Sequence, residues 1–173
     1  MSKVLVVFHS RTGCCRRLAQ VLGDTRRWSL GEVDYFEPPG SYWRCALDAL
    51  TRKEPEIRYQ GANPATFDVV VLVSPIWCWG LSPPMRGFVR SMHGKLDRVA
   101  VVSCMGGSGA ARAVREVEQR IGRRTVARLA LTQSQVETGG FDPALQSFAD
   151  AVEDAASGQG RSIAPAVVAG SPT

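Results

Sequence analysis

This chain of 173 residues contains no apolar run near the ~20 residues that a membrane-spanning helix needs. Its first residues, MSKVLVVFHS, hold one lysine and a short apolar run, which reads as a first strand and not as a secretion signal. There is no CxxC pair and there are only two histidines, His9 and His93, so the close paired spacing of a zinc site is missing. The cysteines (Cys14, Cys15, Cys45, Cys78 and Cys104) are odd in number, and free thiols in a reducing cytoplasm are the expectation. Neither a GxxxxGK[ST] phosphate loop nor a GxGxxG dinucleotide turn occurs. Arginine pairs at 16–17, 26–27 and 123–124 are scattered and not interleaved with aromatics, which argues against nucleic acid. The sequence thus points to a cytoplasmic protein without membrane, metal or nucleic-acid chemistry.

What is present is ordinary globular material: 45% apolar and 21% charged residues, enough for one full core. We assign residues 1–158 to a single domain and 159–173, rich in glycine, proline and alanine, to a loosely held tail. Lys and Arg number 21 against 16 Asp and Glu, a net charge of +5 with a pI near 9.2. That balance favours anionic partners such as phosphates, nucleotides or acidic proteins.

Apolar runs at Lys3–Phe8, Phe67–Ser74, Val99–Cys104 and Thr125–Leu131, with a shorter one at Val33–Phe36, read as strands. Helical spacing marks Gly13–Leu22 (stopped by Gly23), Ser41–Thr51, Met85–Met92, Ala110–Ile121 and Asp142–Ala156. Residues 54–66 read as loop, and PIWCWGLSPP and MGGSG as turns. The predicted order is β-α-β-α-β-α-β-α-β-α. Strands that are apolar throughout and alternate with helices imply a five-stranded parallel sheet with helices on both faces, a three-layer α/β architecture. In such sheets ligands sit beyond the carboxyl ends of the strands, so the informative loops are HSRTGCC, SPIWCWG and MGGSG.

The first loop feeds a strand into a helix through His9, Ser10, Arg11, Thr12 and Gly13. Backbone N–H groups and the helix dipole converge there, and the hydroxyls of Ser10 and Thr12, with Arg11 and Arg16 nearby, suit a phosphate. Two tryptophans one residue apart, Trp77 and Trp79, are costly to leave in water, and one can stack on a planar ligand. The glycines after Met105 permit close backbone approach, and Ser108 can cap the helix that follows.

On HSRTGCCRRLA, DVVVLVSPIWCWGLSPPMRGFV and SCMGGSG, the chain resembles the flavodoxin-like FMN proteins over roughly Lys3–Ala156. The resemblance implies strand order 2-1-3-4-5 and a site at the switch point between the first and third strands. It also implies that His9, Ser10, Arg11, Thr12, Gly13, Cys14 and Cys15 wrap the FMN phosphate. Pro75, Ile76, Trp77, Cys78, Trp79 and Gly80 would flank the flavin ring, and Met105, Gly106 and Gly107 would meet its pyrimidine edge. Three positions depart from the family pattern: His9 replaces a tyrosine, Cys14 an asparagine and Cys15 a hydroxyl residue. A thiol is the weaker donor.

The cysteine pair has two readings. At a helix N-terminus beside arginines, a thiol's pKa falls and its reactivity rises, which suits redox sensing. Alternatively the pair merely stands in for ordinary polar residues against the phosphate, the reading the sequence favours. His9 is expected to make an orienting bond to the backbone, His93 to lie on the surface, and Cys45 to sit within a helix.

Two functions follow. One is an FMN redox protein that serves as an electron carrier for a partner protein or as an NAD(P)H-dependent reductase of a quinone-type acceptor. The basic charge favours the reductase or an acidic partner, because the family's carriers are commonly acidic. The other is a non-catalytic scaffold of the same fold that binds a different phosphate ligand or a protein partner.

Overall fold

The computed structural model describes residues 3–36, 47, 50–51 and 54–158. Most of the predicted helix 41–51, with Cys45, and the tail 159–173 lie outside the described residues.

The central sheet is built from β1 (Val4–Phe8), β2 (Ser29–Tyr35), β3 (Ile57–Gln60), β4 (Val69–Trp77), β6 (Val99–Met105) and β7 (Ala127–Thr132). A two-residue strand, β5 (Gly80–Leu81), pairs with the end of β4. Spatial order is β3-β2-β1-β4-β6-β7. The pairs β1–β2, β1–β4, β4–β6 and β6–β7 are all parallel. These are the five expected strands in the 2-1-3-4-5 order of a flavodoxin-like fold. The count of five is corrected to seven by β5 and by β3, an antiparallel edge strand on β2.

The helices are α1 (Cys14–Arg26), α2 (Pro83–Ser91), α3 (Ala110–Ile121), α4 (Gln133–Thr138) and α5 (Asp142–Ala156). Side chains alternate across each strand, so the sheet builds two cores. Val4, Val6, Phe8, Val69, Val71, Val73, Val102 and Leu129 meet Leu18 and Leu22 of α1 and Leu145 and Phe148 of α5. Leu5, Val7, Val70, Leu72, Val99 and Val101 meet Met85 and Phe88 of α2 and Val114 and Val117 of α3. No helix among the described residues is long and apolar enough to cross a membrane.

Three local expectations are corrected. Residues 57–60 are a strand: Ile57 and Tyr59 pack on the second core while Arg58 and Gln60 face outward, a period-2 pattern only four residues long. Helix α1 does not stop at Gly23. It continues to Arg26, whose guanidinium bonds Asp150 at 2.6 Å and Glu153 at 3.0 Å on α5, a tertiary anchor that outweighs one glycine's cost of about 1 kcal/mol. Helix α4 was not anticipated, although its capping box is legible: Thr132 accepts from the Gln135 N–H, and Gln135 reaches back to the Thr132 N–H.

Candidate functional site

Strand β1 ends at Phe8, and the chain turns through residues 9–13 into α1. Gly13 stands at the N-cap with φ 93°, in the left-handed region open to glycine. Its N–H donates to Ser10 Oγ at 3.2 Å, which pins the turn. Helix α1 has no side-chain cap and no acidic residue in its first turn, so its leading N–H groups keep their positive end of the dipole uncompensated.

The second wall is not the long turn expected. Strand β4 runs on through Pro75 and Ile76 to Trp77, reverses over Cys78 and Trp79, and returns as β5, with Trp77 paired to Gly80 and Ile76 to Leu81. Cys78 (φ 47°) and Trp79 (φ 60°) both adopt the left-handed conformation of a two-residue hairpin turn. Gly109, at the start of α3, packs against this hairpin: a Cβ there would lie 2.8 Å from the Trp79 Cα. The third wall is the end of β6, Cys104 to Gly106.

These walls enclose a pocket of about 390 Å³ at the carboxyl end of the sheet. It lies between β1 and β4, the switch point of the strand order. Ser10, Arg11, Thr12, Cys14, Cys15, Pro75, Ile76, Trp77, Cys78, Met105 and Gly106 line it, all of them singled out from the sequence. Cys104 and Gln133 line it as well and were not among those candidates. Gln133 belongs to the unforeseen α4. Cys104 looked like the buried end of a strand, and only its register opposite Pro75 brings it to the pocket.

Five candidates do not line the pocket. Gly13 acts through the backbone turn. Gly107 is exposed beyond the rim. Trp79 is 60% exposed and points away, so of the two tryptophans only Trp77 walls the cavity. Gly80 is buried against the ion pair of Arg86 and Glu116, whose Nε–Oε1 separation is 2.7 Å. His9 is buried behind the turn, its Nδ1 2.9 Å from the Val33 carbonyl and its ring edge-on to Trp77 at 5.6 Å. Burial lowers its pKa, so the neutral ring donates Nδ1–H to Val33 and props Trp77 from behind. Arg16 also turns aside, into an ion pair with Glu32 of β2.

The cysteine chemistry is corrected. The redox-sensing reading of Cys14 and Cys15, which the sequence does not favour, needs a lowered pKa at this pair. Burial instead raises Cys14, and a hydrogen bond to Cys104 together with burial pushes Cys15 well above the ordinary thiol range. The thiol held low is Cys104, because Cys15 and then Cys14 donate hydrogen bonds to its sulfur.

No protein-family profile and no curated protein sequence matches the chain. Solved structures do. A flavoprotein from Lactobacillus acidophilus NCFM, in complex with FMN, superposes with TM-score 0.65 at 19% identity, over 80% of this chain and 98% of that one. A protein from Bacteroides eggerthii DSM 20697 gives TM-score 0.69 at 22% identity, over 86% of this chain and 99% of that one. An NAD(P)H:quinone oxidoreductase from Methanothermobacter marburgensis gives 0.52 at 16% identity, over 93% and 98%. The likeness extends over nearly the whole of each of these chains and establishes the shared fold.

Proposed function

We propose that the chain is an FMN-dependent redox protein. The observation that carries this reading is the pocket itself: an uncapped helix N-terminus, two hydroxyl residues and a tryptophan wall converge at the switch point of a flavodoxin-like sheet. The residues present fit the group. The α1 N–H groups, Ser10 and Thr12 would hold the phosphate, with Arg11 adding charge. Trp77, held from behind by His9, would cover the ring. A Cβ at Gly106 or Gly107 would meet nothing within 4 Å, so the β6 loop leaves space for a ligand edge. FMN, when bound, supplies the electron chemistry, and the protein's part is to bind, cover and tune it.

For the electron donor and acceptor we favour NAD(P)H and a quinone-type molecule over a protein partner. The basic charge suits a nucleotide donor, and a solved structure of this fold is an NAD(P)H:quinone oxidoreductase. Free thiols at all four described cysteines support a reducing compartment such as the cytoplasm.

The test is an anaerobic titration of FMN-reconstituted protein with NADH and with NADPH, followed at about 450 nm, where oxidised flavin absorbs. Rapid bleaching by either nucleotide is expected. Bleaching by dithionite alone would replace the reductase with an electron carrier. Failure to bind FMN would leave the scaffold reading.

A further inference from the structure

Three thiols from two separate elements meet at the floor of the pocket. Cys14 and Cys15 open α1, Cys104 is the penultimate residue of β6, and all three line the same cavity. A vicinal Cys14–Cys15 bridge is disfavoured by the fold: both residues lie in the first turn of a helix, where neighbours project about 100° apart. The α1–β6 pair has no such obstacle, since Cys15 and Cys104 come from separate elements, lie in one buried cluster and line the same cavity. We propose that Cys104 and Cys15 form a hydroperoxide-oxidisable thiol pair that closes a reversible disulfide across the pocket floor.

The division of labour follows from the surroundings. Cys104 receives donors from Cys15 and Cys14, which favours its thiolate, the nucleophilic form. Cys15, 2% exposed, keeps its proton. In the first step the Cys104 thiolate attacks one oxygen of hydrogen peroxide. An S–O bond forms, the O–O bond breaks, and hydroxide leaves, so Cys104 becomes a sulfenic acid. In the second step Cys15 sulfur attacks the Cys104 sulfur. The S–S bond forms, the S–O bond breaks, and the departing hydroxide takes the Cys15 proton as water. Overall two thiols are oxidised to one disulfide, and one peroxide is reduced to two waters. The pocket is the access route, because all three thiols are otherwise covered. The exposed Cys78, on the hairpin, lines the same pocket but lies outside the buried cluster of the other three, and serves as an internal comparison.

The experiment uses the full chain free of flavin, so its outcome does not depend on FMN binding. The protein is treated with equimolar hydrogen peroxide, alkylated, digested without reductant and mapped by mass spectrometry. The expected product is a peptide pair joined through Cys15 and Cys104 that disappears on dithiothreitol treatment. It should persist in Cys78→Ser and be lost in Cys104→Ser. Oxidation confined to Cys78, a bridge from Cys14 to either neighbour, or Cys104 recovered fully alkylated would each overturn the assignment.

Discussion

Thr12 tests the phosphate loop with the smallest change. It is exposed at the pocket mouth and packs into neither core, so Thr12→Asp leaves folding untouched while setting a carboxylate beside the ligand phosphate. Like charges so placed cost several kcal/mol. FMN affinity should fall by about 100-fold or more, about 2.8 kcal/mol, in a fluorescence titration, with the circular dichroism unchanged. His9 makes a different prediction. Its folded pKa is depressed by burial, so between the folded value and the unfolded one of about 6.5 the unfolded chain binds the proton and the native chain does not. Stability therefore rises with pH through that window and is lost as pH falls below about 6.5. Urea midpoints from pH 7 to 5 should decline, and His9→Gln should flatten the decline. The same ring shows how far one residue is readable. A bond to backbone is the sequence expectation; that the acceptor is Val33, on a strand 24 residues away, needed the sheet.

At the scale of elements, the β4–β5 hairpin is the part of the site most dependent on tertiary support. Behind it, Arg86 and Glu116 form an ion pair with side chains 1% and 8% exposed, and Glu116 Oε2 accepts the Leu81 N–H at 3.3 Å. Glu116 also pairs with Arg120 at 3.1 Å, and removing the carboxylate charge from such a buried cluster costs about 3–5 kcal/mol. Glu116→Gln should lower the urea unfolding free energy by roughly that amount. Gly80→Ala should cost about 1–3 kcal/mol, since its Cβ would fall 2.7 Å from Arg86 Nη2. The hairpin also separates the two tryptophans. Trp77→Ala should weaken FMN binding and reduce its fluorescence quenching, whereas Trp79→Ala should leave both unchanged. The sequence could not have made that distinction. Trp77 and Trp79 are two apart and would share a strand face, but Cys78 and Trp79 itself are left-handed, and the turn they make sends Trp79 outward.

On the scale of the whole molecule, a ligand that binds only the folded chain stabilises it by mass action. FMN at 100 times its dissociation constant should add about 2.7 kcal/mol, which for a chain of this size is roughly 5–10 °C in Tm. Riboflavin, which lacks the phosphate, should give a clearly smaller shift at the same concentration. Equal shifts would remove the phosphate loop from the site. The pocket draws on the loop between β1 and α1, on α1, β4, β6 and α4, so the ligand ties together elements from both halves of the chain.

What the amino-acid sequence determined by itself was the layered α/β architecture and most of the pocket lining. Continuous apolar runs identify strands buried on both faces, and the loops that follow their carboxyl ends are contiguous stretches whose residue types are directly readable. The tertiary structure alone decided the rest. Edge strand β3 owes its pairing to β2, and the hairpin owes its reversal to Arg86, Glu116 and Gly109. Cys104 meets Cys15 because parallel register carries β6 alongside β4, and β4 alongside β1, to the same end of the sheet. Periodicity records which face of an element is buried. It does not record which distant element covers that face, and here that decides which of the described thiols share the pocket floor.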